Sequence, residues 1–227
     1  MQKSWMRRRA EEALSSGFQH AYETVRVEPG HFLMQVQTAY ELPITNFQGV
    51  YSLPVETIDG LSERIVRSGM KFAALEGASL GLGGIFTAVP DLGILATITL
   101  RTVQKLSLIY GFEYNTEDEK VELGMAMLAA AGVDMGREWI EKEVVSRFVP
   151  RVIRRIAVQA SGEVVEKWSG RIIPIASSAI GAGLNYWFVR AWGERARTHF
   201  HARHLEIRNG REGRKLVTFN VPPSLAP

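Results

Sequence analysis

The chain has 227 residues, 46% hydrophobic and 22% charged, with a net charge of +3, which is typical of a globular protein of one or two domains. It contains no cysteine, which excludes disulfides and thiolate metal sites and fits a reducing compartment such as the cytoplasm. The basic start of the chain leads into Ala10-Glu11-Glu12 rather than into an apolar run, so we do not expect a signal peptide.

The sequence divides into three predicted parts. Residues 1–28 are expected to form a polar N-terminal helical segment, which ends at Pro29-Gly30. Residues 29–209 are predicted to form one helical domain. Residues 210–227 are predicted to be an irregular tail with a short β segment at 215–220.

Two helices are predicted before the most apolar part of the chain. The first covers residues 31–42 and places Phe32 and Val36 on one side. Residues 43–54 are predicted to be a loop, and residues 55–75 have the spacing of an amphipathic helix.

The stretch 77–100 predicts two apolar helical arms. Residues 77–90 are uncharged, Asp91 follows, and residues 92–100 are uncharged again. Neither arm reaches the roughly 20 apolar residues that a membrane-spanning helix needs, and Pro90 removes an amide donor at their junction. Glycines in the first arm are predicted to permit close helix packing, either within a buried helix pair or against a membrane partner. They are Gly77, Gly81, Gly83 and Gly84.

The helical pattern continues after this stretch. Gly111 suits the position just after a helix, and Thr116 and Glu119 match a capping box that opens the next helix. Residues 172–189 are a second uncharged stretch, of eighteen residues. Its predicted close-packing glycines are Gly181 and Gly183.

These patterns predict an all-α protein, a multi-helix bundle in which two glycine-rich apolar helical hairpin-like elements pack together. Polar side chains on otherwise apolar surfaces need partners, because a buried unpaired polar group costs about 1–3 kcal/mol. We therefore predict a structural polar network made of Asp91, Arg101, Tyr110 and Asn185.

Charge is distributed unevenly along the chain. From Val144 onward, 14 Lys and Arg stand against 5 Asp and Glu, a net charge of +9, whereas the preceding part has 13 against 19, a net of −6. The basic part suits an anionic surface such as lipid headgroups, with an ordinary basic surface as the alternative. No nucleic-acid-binding motif is present, so we do not expect a nucleic-acid partner. The residues predicted to bind an anionic surface are Arg190, Arg195, Arg197 and Arg203.

Two separated blocks of the sequence resemble the EcsC protein family. The first contains Glu76-Gly77-Ala78, Pro90-Asp91, Leu100-Arg101 and Tyr110-Gly111-Phe112, and the second contains Gly181, Asn185 and Arg195-Ala196-Arg197. The resemblance covers about residues 29–205. It implies a membrane partner, an ABC transporter, because the family is named for a gene beside an ABC-transporter operon. It implies no settled activity, catalytic residue or cofactor.

The sharpest enzymatic hypothesis is a serine hydrolase. Gly77-Ala78-Ser79-Leu80-Gly81 matches Gly-x-Ser-x-Gly, and Asp91 and His199 follow in the chain order of an α/β-hydrolase triad. That motif needs a strand-to-helix turn, whereas the residues before Ser79 have the pattern of a helix, so packing glycines are the favoured interpretation.

Three histidines, His199, His201 and His204, suggest a metal site at first sight. No carboxylate lies at a spacing that completes a ligand set, so a solvated basic face is the favoured interpretation.

The sequence thus favours a non-enzymatic accessory or scaffold protein without cofactor or metal. It is expected in the cytoplasm, held peripherally or by shallow insertion at an anionic membrane or on a membrane protein. A soluble helical adaptor, whose apolar stretches are simply core, is a further alternative.

Overall fold

The described chain is built from helices joined by short connections. The computed structural model describes residues 2–80, 88–133, 152–162 and 178–219. The helices are α1 (Gln2–Thr24), α2 (Pro29–Tyr40), α3 (Val55–Leu80), α4 (Ala88–Ile109), α5 (Glu117–Ala130), α6 (residues 152–162) and α7 (Ser178–Phe219), with a 3₁₀ turn at Phe47–Ser52. No strand occurs within these ranges, so the predicted all-α fold is confirmed.

Helix ends follow local side-chain chemistry. The Thr116 side chain accepts from the backbone N–H of Glu119, whose carboxylate accepts from the Thr116 N–H in return, which confirms the predicted capping box. At the start of α2, the Glu28 carboxylate accepts from the backbone N–H groups of His31 and Gly30, and these bonds lower its pKa. Gly111, just beyond α4, has a φ of 92°, the left-handed conformation predicted for it.

Helix α4 lies at the centre and packs against α1, α3, α5 and α7. Its side chains Leu100 and Leu106 are fully buried. α1 approaches it closely at Gly17, because a Cβ there would lie 2.8 Å from the Cα of Gly93. This contact leaves no room for a side chain at Gly17, whereas a Cβ at Gly93 would meet none of the described atoms within 4 Å.

Helix α1 belongs to the core, which differs from the polar segment expected for residues 1–28. Leu14, Phe18 and Ala21 are completely buried. The Phe18 ring stacks on Trp192 of α7 with ring centroids 5.3 Å apart. The apolar residues of α1 recur at helical spacing, so one face of the helix is apolar although its mean composition is polar.

Two other regions differ from expectation. The predicted irregular tail from Gly210 and the predicted β segment at 215–220 are wrong up to Phe219, because α7 continues through these residues as a helix of 42 residues. At 1.5 Å per residue, α7 is about 63 Å long. The predicted loop 43–54 contains the 3₁₀ turn Phe47–Ser52, whose Phe47 and Val50 are buried.

Helix α3 runs antiparallel to both α4 and α7. Tyr110 contacts Asp59, and a Cβ on Gly69 would meet Thr102, so the two helices α3 and α4 run in opposite directions. His201 contacts Asp59, and Gly69 faces Val189, so the same holds for α3 and α7. The end of α3 and the starts of α4 and α7 therefore meet at one end of the bundle.

This region, residues 72–80, 88–100 and 178–189, is called the apolar end below. It contains no Lys or Arg, and its two acidic residues are Glu76 and Asp91. The described parts of the two predicted apolar stretches therefore lie together, because Val189 faces Gly69 beside Thr102. Helix α4 begins at Ala88, so Pro90 and Asp91 lie in its first turn, and the predicted junction of two arms at these residues is wrong. Residues 81–87 and 172–177 lie outside the described ranges, so the hairpin-like elements stay a prediction.

Candidate functional site

A cleft of about 400 Å³ opens between α2, α3 and α4, and it is the candidate functional site. Clefts of roughly 300–1,000 Å³ are the usual size of small-molecule sites. All three helices contribute apolar residues to its lining, among them Phe32, Val36, Ile65, Phe72, Ile94 and Ile98. The cleft is therefore a mainly apolar space of ligand size.

The charged residues that line the cleft are all cations. Arg64 comes from α3, while Arg101 and Lys105 come from α4, and no carboxylate is among the described lining residues. Arg101 and Lys105 are four residues apart, which places them on the same face of α4. One wall of the cleft thus carries two positive charges, and the wall opposite carries a third.

Two of these cations lie over aromatic rings. The guanidinium carbon of Arg64 is 5.2 Å from the centroid of the Tyr40 ring, and Lys105 Nζ is 5.5 Å from that of Phe32. Burial, and then repulsion from Arg101, lower the pKa of Lys105. Ring faces attract cations without neutralising their charge, so the cleft retains a positive potential.

Large apolar side chains are exposed around the mouth of the cleft. Phe72 is 52% exposed and Ile94 is 36% exposed, and both line the cleft. Leu75 is 71% exposed and lies three residues after Phe72, on the same side of α3. An exposed apolar cluster at the mouth of a ligand-sized cleft is typical of an interaction surface rather than of core packing.

A second, more open hollow adjoins the cleft. It shares Tyr40, Leu61 and Arg64 with the cleft, and it also contains Glu41 and Glu56. The two carboxylates partly balance Arg64 on that side. The positive potential inside the cleft therefore depends mainly on Arg101 and Lys105.

The predicted basic residues of α7 have mostly intramolecular roles. Arg195 donates to the carbonyl of Ala130 at 2.6 Å, and Arg197 pairs with Glu194 at 2.9 Å on its own helix. Arg203 pairs with Glu122 and with Glu206. Of the four predicted residues, Arg190 is the exposed one.

The three histidines of α7 also hold the bundle together, so the predicted solvated face is wrong. His199 lies 2.7 Å from Glu122 on α5, and His201 lies 2.8 Å from Asp59 on α3. His204 is 1% exposed and donates from Nδ1 to the carbonyl of Tyr110 at 3.0 Å. Helix packing brings together carboxylates and histidines that are far apart in sequence. No cluster of three metal-ligating side chains occurs in the described part of the chain.

Burial raises the pKa of Glu122, but the bonds from His199 and the charge of Arg203 outweigh that effect. The pKa of Glu122 therefore lies below its ordinary value, and the carboxylate stays ionised between α5 and α7. This group is a structural link between the helices.

The residues of the predicted polar network lie at different places. The Tyr110 hydroxyl donates to Asp59 Oδ1 at 2.9 Å and lies 3.1 Å from Ser62 Oγ, and burial raises its pKa. Arg101 is exposed at the cleft, whereas Asn185 is buried on α7. The side chain of Asp91 is outside the described set, so a network that joins all four stays a prediction.

The predicted close-packing glycines have mixed outcomes. Gly77 is buried, while Gly81, Gly83 and Gly84 lie outside the described ranges, and nothing is described around Gly181. Gly183 is exposed and a Cβ there would meet none of the described atoms within 4 Å, so it makes no close contact within the described chain, and packing against a membrane partner stays a prediction. Close packing instead occurs at glycines outside the two predicted groups, namely Gly17, Gly69 and Gly193.

Ser79 lies inside α3, which is helical from Val55 to Leu80. The hydrolase motif depends on a strained turn between a strand and a helix, and residues 77–80 do not form one. The other candidate triad member, His199, is engaged by Glu122. These observations remove the geometric basis for assigning Ser79 as a nucleophile.

Sequence reasoning missed Arg64 and Lys105 as members of a site. Each is an ordinary cation on the polar side of an amphipathic helix, and only the packing of α2 against α3 and α4 places them around one cleft. The available signal was the pair of cations at Arg101 and Lys105 next to an uncharged stretch of nine residues, 92–100.

The chain is similar to two proteins of Bacillus subtilis (strain 168). It is similar to Protein EcsC of Bacillus subtilis (strain 168), with 27% identity over 188 residues that cover 81% of this chain and 79% of that protein. It is also similar to the Uncharacterized protein YdbA of the same organism, with 23% identity over 150 residues that cover 62% of this chain and 55% of that protein. No solved structure matches it.

The sequence pattern that defines the EcsC protein family matches residues 7–205, which include the cleft, its mouth and most of α7. The match begins within α1, earlier than the start near residue 29 expected from the two blocks, and α1 is accordingly part of the core. The chain belongs to the EcsC protein family.

Proposed function

We propose that this protein is a non-enzymatic accessory protein that attaches peripherally to an anionic membrane through its apolar end. One observation carries the proposal. Phe72, Leu75 and Ile94 are exposed around the mouth of a cleft whose described charged lining is entirely cationic. Apolar residues that enter the headgroup region and cations that meet lipid phosphates are the two contributions that reversible attachment requires.

The position of the cations along the bundle supports the same orientation. Arg101 and Arg190 are chain neighbours of Thr102 and Val189, which both face Gly69. The two arginines therefore lie at about one level, and α3 extends about 16 Å beyond that level to Leu80. Apolar side chains would enter the bilayer surface while the arginines stay among the headgroups.

Helix α1 adds basic residues near the same end. It runs parallel to α4, since Gly17 lies at Gly93 and Val25 lies near Gln104. Its exposed residues Arg7, Arg8 and Arg9 therefore extend past the start of α4. They lie about 24 Å beyond the level of Arg101, so they oppose deep insertion of this end and restrict the proposed attachment to a shallow one.

Peripheral attachment is favoured over a membrane-spanning arrangement. Among the described helices, α4 is the one that is long and apolar enough to span, over Leu92–Ile109, and 72% of that window is buried within the protein. A helix covered by α1, α3, α5 and α7 is occupied by the core and cannot face lipid without unfolding the bundle. A link to transport or secretion, with an ABC transporter as membrane partner, is part of the proposal and follows from family membership alone.

Vesicle flotation tests the proposal. The full chain is mixed with vesicles of phosphatidylglycerol and phosphatidylcholine, or of phosphatidylcholine alone, at low and high salt. We expect flotation with the anionic vesicles that weakens as salt increases, because salt screens exposed charges. The double variant Phe72→Ser and Leu75→Ser should lower partitioning by at least about tenfold, since burial of each side chain stabilises by about 1.5–3 kcal/mol.

The matched control is Met34→Ser. Met34 is 65% exposed on α2 and does not line the cleft, so the same chemical change at this position should leave flotation unchanged. Absence of the wild-type protein from the floating fraction at low salt would refute membrane attachment. Together with monodisperse behaviour without detergent, that result would support a soluble helical adaptor. An equal loss in the Met34 and Phe72/Leu75 variants would refute the assigned face.

A further inference from the structure

We infer that the cleft between α2, α3 and α4 is a binding site for one anionic phospholipid molecule, with its phosphate at Arg101 and Lys105 and one acyl chain along the apolar lining. The inference rests on the proposed function for the source of the lipid, because the mouth of the cleft lies on the face assigned to the membrane. It adds a specific occupant and a stoichiometry to that face.

The charged part of the cleft selects an anion. Arg101, Lys105 and Arg64 place three positive charges around one space, and the described lining contains no carboxylate. Lys105 and Arg64 rest against the rings of Phe32 and Tyr40 rather than against a counter-ion in the cleft. A phosphate diester between these side chains would relieve their mutual repulsion and accept charge-assisted hydrogen bonds. The lowered pKa of Lys105 agrees with this arrangement, because an anion would favour the charged form.

The apolar part of the cleft selects an acyl chain. From Arg101 toward the mouth, the lining contains Phe72, Ile98 and Ile94, and Leu75 continues it on the surface, while Ile65 lies near the level of Lys105. Thr97 and Thr102 do not add a second polar centre with their hydroxyls, because each donates to a carbonyl of its own helix. A volume of about 400 Å³ is near the lower end of the range for ligand sites, which suits one chain and a phosphate rather than a complete two-chain lipid.

The direction of the cleft matches the direction of a lipid in a bilayer. The exposed apolar residues are at the outer end, toward the tip of the bundle, and Lys105 lies three helical turns further inward than Ile94. A phospholipid drawn from the leaflet would place its phosphate at the level of Arg101 and leave the second chain at the exposed surface of Phe72 and Leu75. The second hollow, which contains Glu41 and Glu56, lies on the far side of Arg64 and repels the phosphate from that end.

Isothermal titration calorimetry on the full chain tests the inference without a membrane. The probe is lysophosphatidylglycerol below its micelle concentration, and we expect saturable binding of one molecule per chain. Lysophosphatidylcholine has the same chain and phosphate but carries an additional cation, so its affinity should be at least about tenfold lower, or about 1.4 kcal/mol. Inorganic phosphate alone should show no saturable heat.

Charge variants assign the phosphate position. Arg101→Gln and Lys105→Gln should each lower the affinity for lysophosphatidylglycerol by about tenfold. This is the scale of a lost hydrogen bond to a charged group. The matched control is Arg67→Gln, because Arg67 is exposed on α3, pairs with Glu63 and is not a lining residue. A Thr97→Phe variant that retains the wild-type melting temperature should lose binding, since the new ring fills the space for the chain.

Several results would overturn the inference. They are equal affinity for the two lysolipids, saturable binding of inorganic phosphate with similar affinity, or an equal loss in the Arg67 variant. Binding that persists unchanged in a folded Thr97→Phe variant would also exclude the cleft. If vesicles float the protein but monomeric lysophosphatidylglycerol does not bind, the lipid site is refuted and membrane attachment stands. If the lysolipid binds but vesicles do not float the protein, membrane attachment is refuted and the lipid site stands.

Discussion

Gly193 on α7 lies against Val66 of α3, so its replacement by alanine sets two effects against each other. A Cβ at Gly193 would lie 2.8 Å from Val66 Cγ1 and 3.0 Å from Cγ2, closer than real atoms pack. Val66 is 1% exposed, and its β-branched side chain has few rotamers, so it cannot turn away freely. Helices α3 and α7 must therefore separate locally to admit the methyl group.

The magnitude of the effect can be bracketed. Overpacking a core contact costs typically about 1–3 kcal/mol, whereas alanine favours a helix over glycine by about 1 kcal/mol. Gly193→Ala should therefore change the free energy of unfolding by between about 0 and −2 kcal/mol. Gly183→Ala on the same helix is the matched control, because Gly183 is exposed and its Cβ would meet none of the described atoms. It should stabilise by about 1 kcal/mol.

Urea and thermal unfolding measure both variants. The two free energies of unfolding should differ by about 1–3 kcal/mol, with Gly183→Ala the more stable. A change of 1 kcal/mol corresponds to about 2–4 °C in melting temperature for a domain of this size. Equal shifts in the two variants would refute the close contact between α3 and α7, and with it the placement of Arg190 near the level of Arg101.

Three further predictions concern the bundle itself. Gln104→Met should lower the free energy of unfolding by about 2–4 kcal/mol in urea. The Gln104 amide donates to the carbonyl of Val25 and accepts from the N–H of Val27, and each group left unpaired costs about 1–3 kcal/mol. An unchanged free energy of unfolding would contradict this role. Thr116→Ala should cost about 1 kcal/mol in the same assay through the lost cap, and Thr116→Ser, which keeps the hydroxyl, is its control. Burial lowers the pKa of His204 below 6.5, so the unfolded chain binds more protons than the folded chain just below that pH, and stability rises with pH there. The melting temperature should fall as the pH decreases below 6.5, and it should fall less in His204→Phe; identical pH profiles would show that another group is responsible.

Local sequence signals predicted the helices and several of their ends. The period of the apolar residues in 55–75 and the Thr116-to-Glu119 spacing describe interactions within a few residues, so they can be recognised without knowledge of the fold. The left-handed conformation of Gly111 was predictable for the same reason, because it depends only on the end of the helix before it. The failure beyond Gly210 has a related cause, because weak local signals were interpreted as a tail and a strand where α7 simply continues.

Interactions between distant residues could not be predicted in the same way. Nothing near His201 indicates Asp59, which is 142 residues away, and nothing near Gly193 indicates Val66. By sequence, Gly183 in the uncharged stretch 172–189 is a better candidate for close packing than Gly193, which precedes Glu194 and Arg195. In the structure, however, Gly183 is exposed and Gly193 touches another helix. A glycine is required for packing only where a second backbone or a stiff side chain approaches it, and that depends on tertiary contacts.

The sequence by itself determined the helical class, the family, the two uncharged stretches and the excess of positive charge late in the chain, because these depend on composition and short-range spacing. Only the tertiary structure decided which polar and charged groups are engaged inside the bundle and which remain at its surface. It directed Arg195, Arg197, Arg203 and the histidines of α7 into contacts with their own chain. It also gathered Arg64, Arg101 and Lys105 around one cleft, because three helices that are separate in sequence pack side by side there.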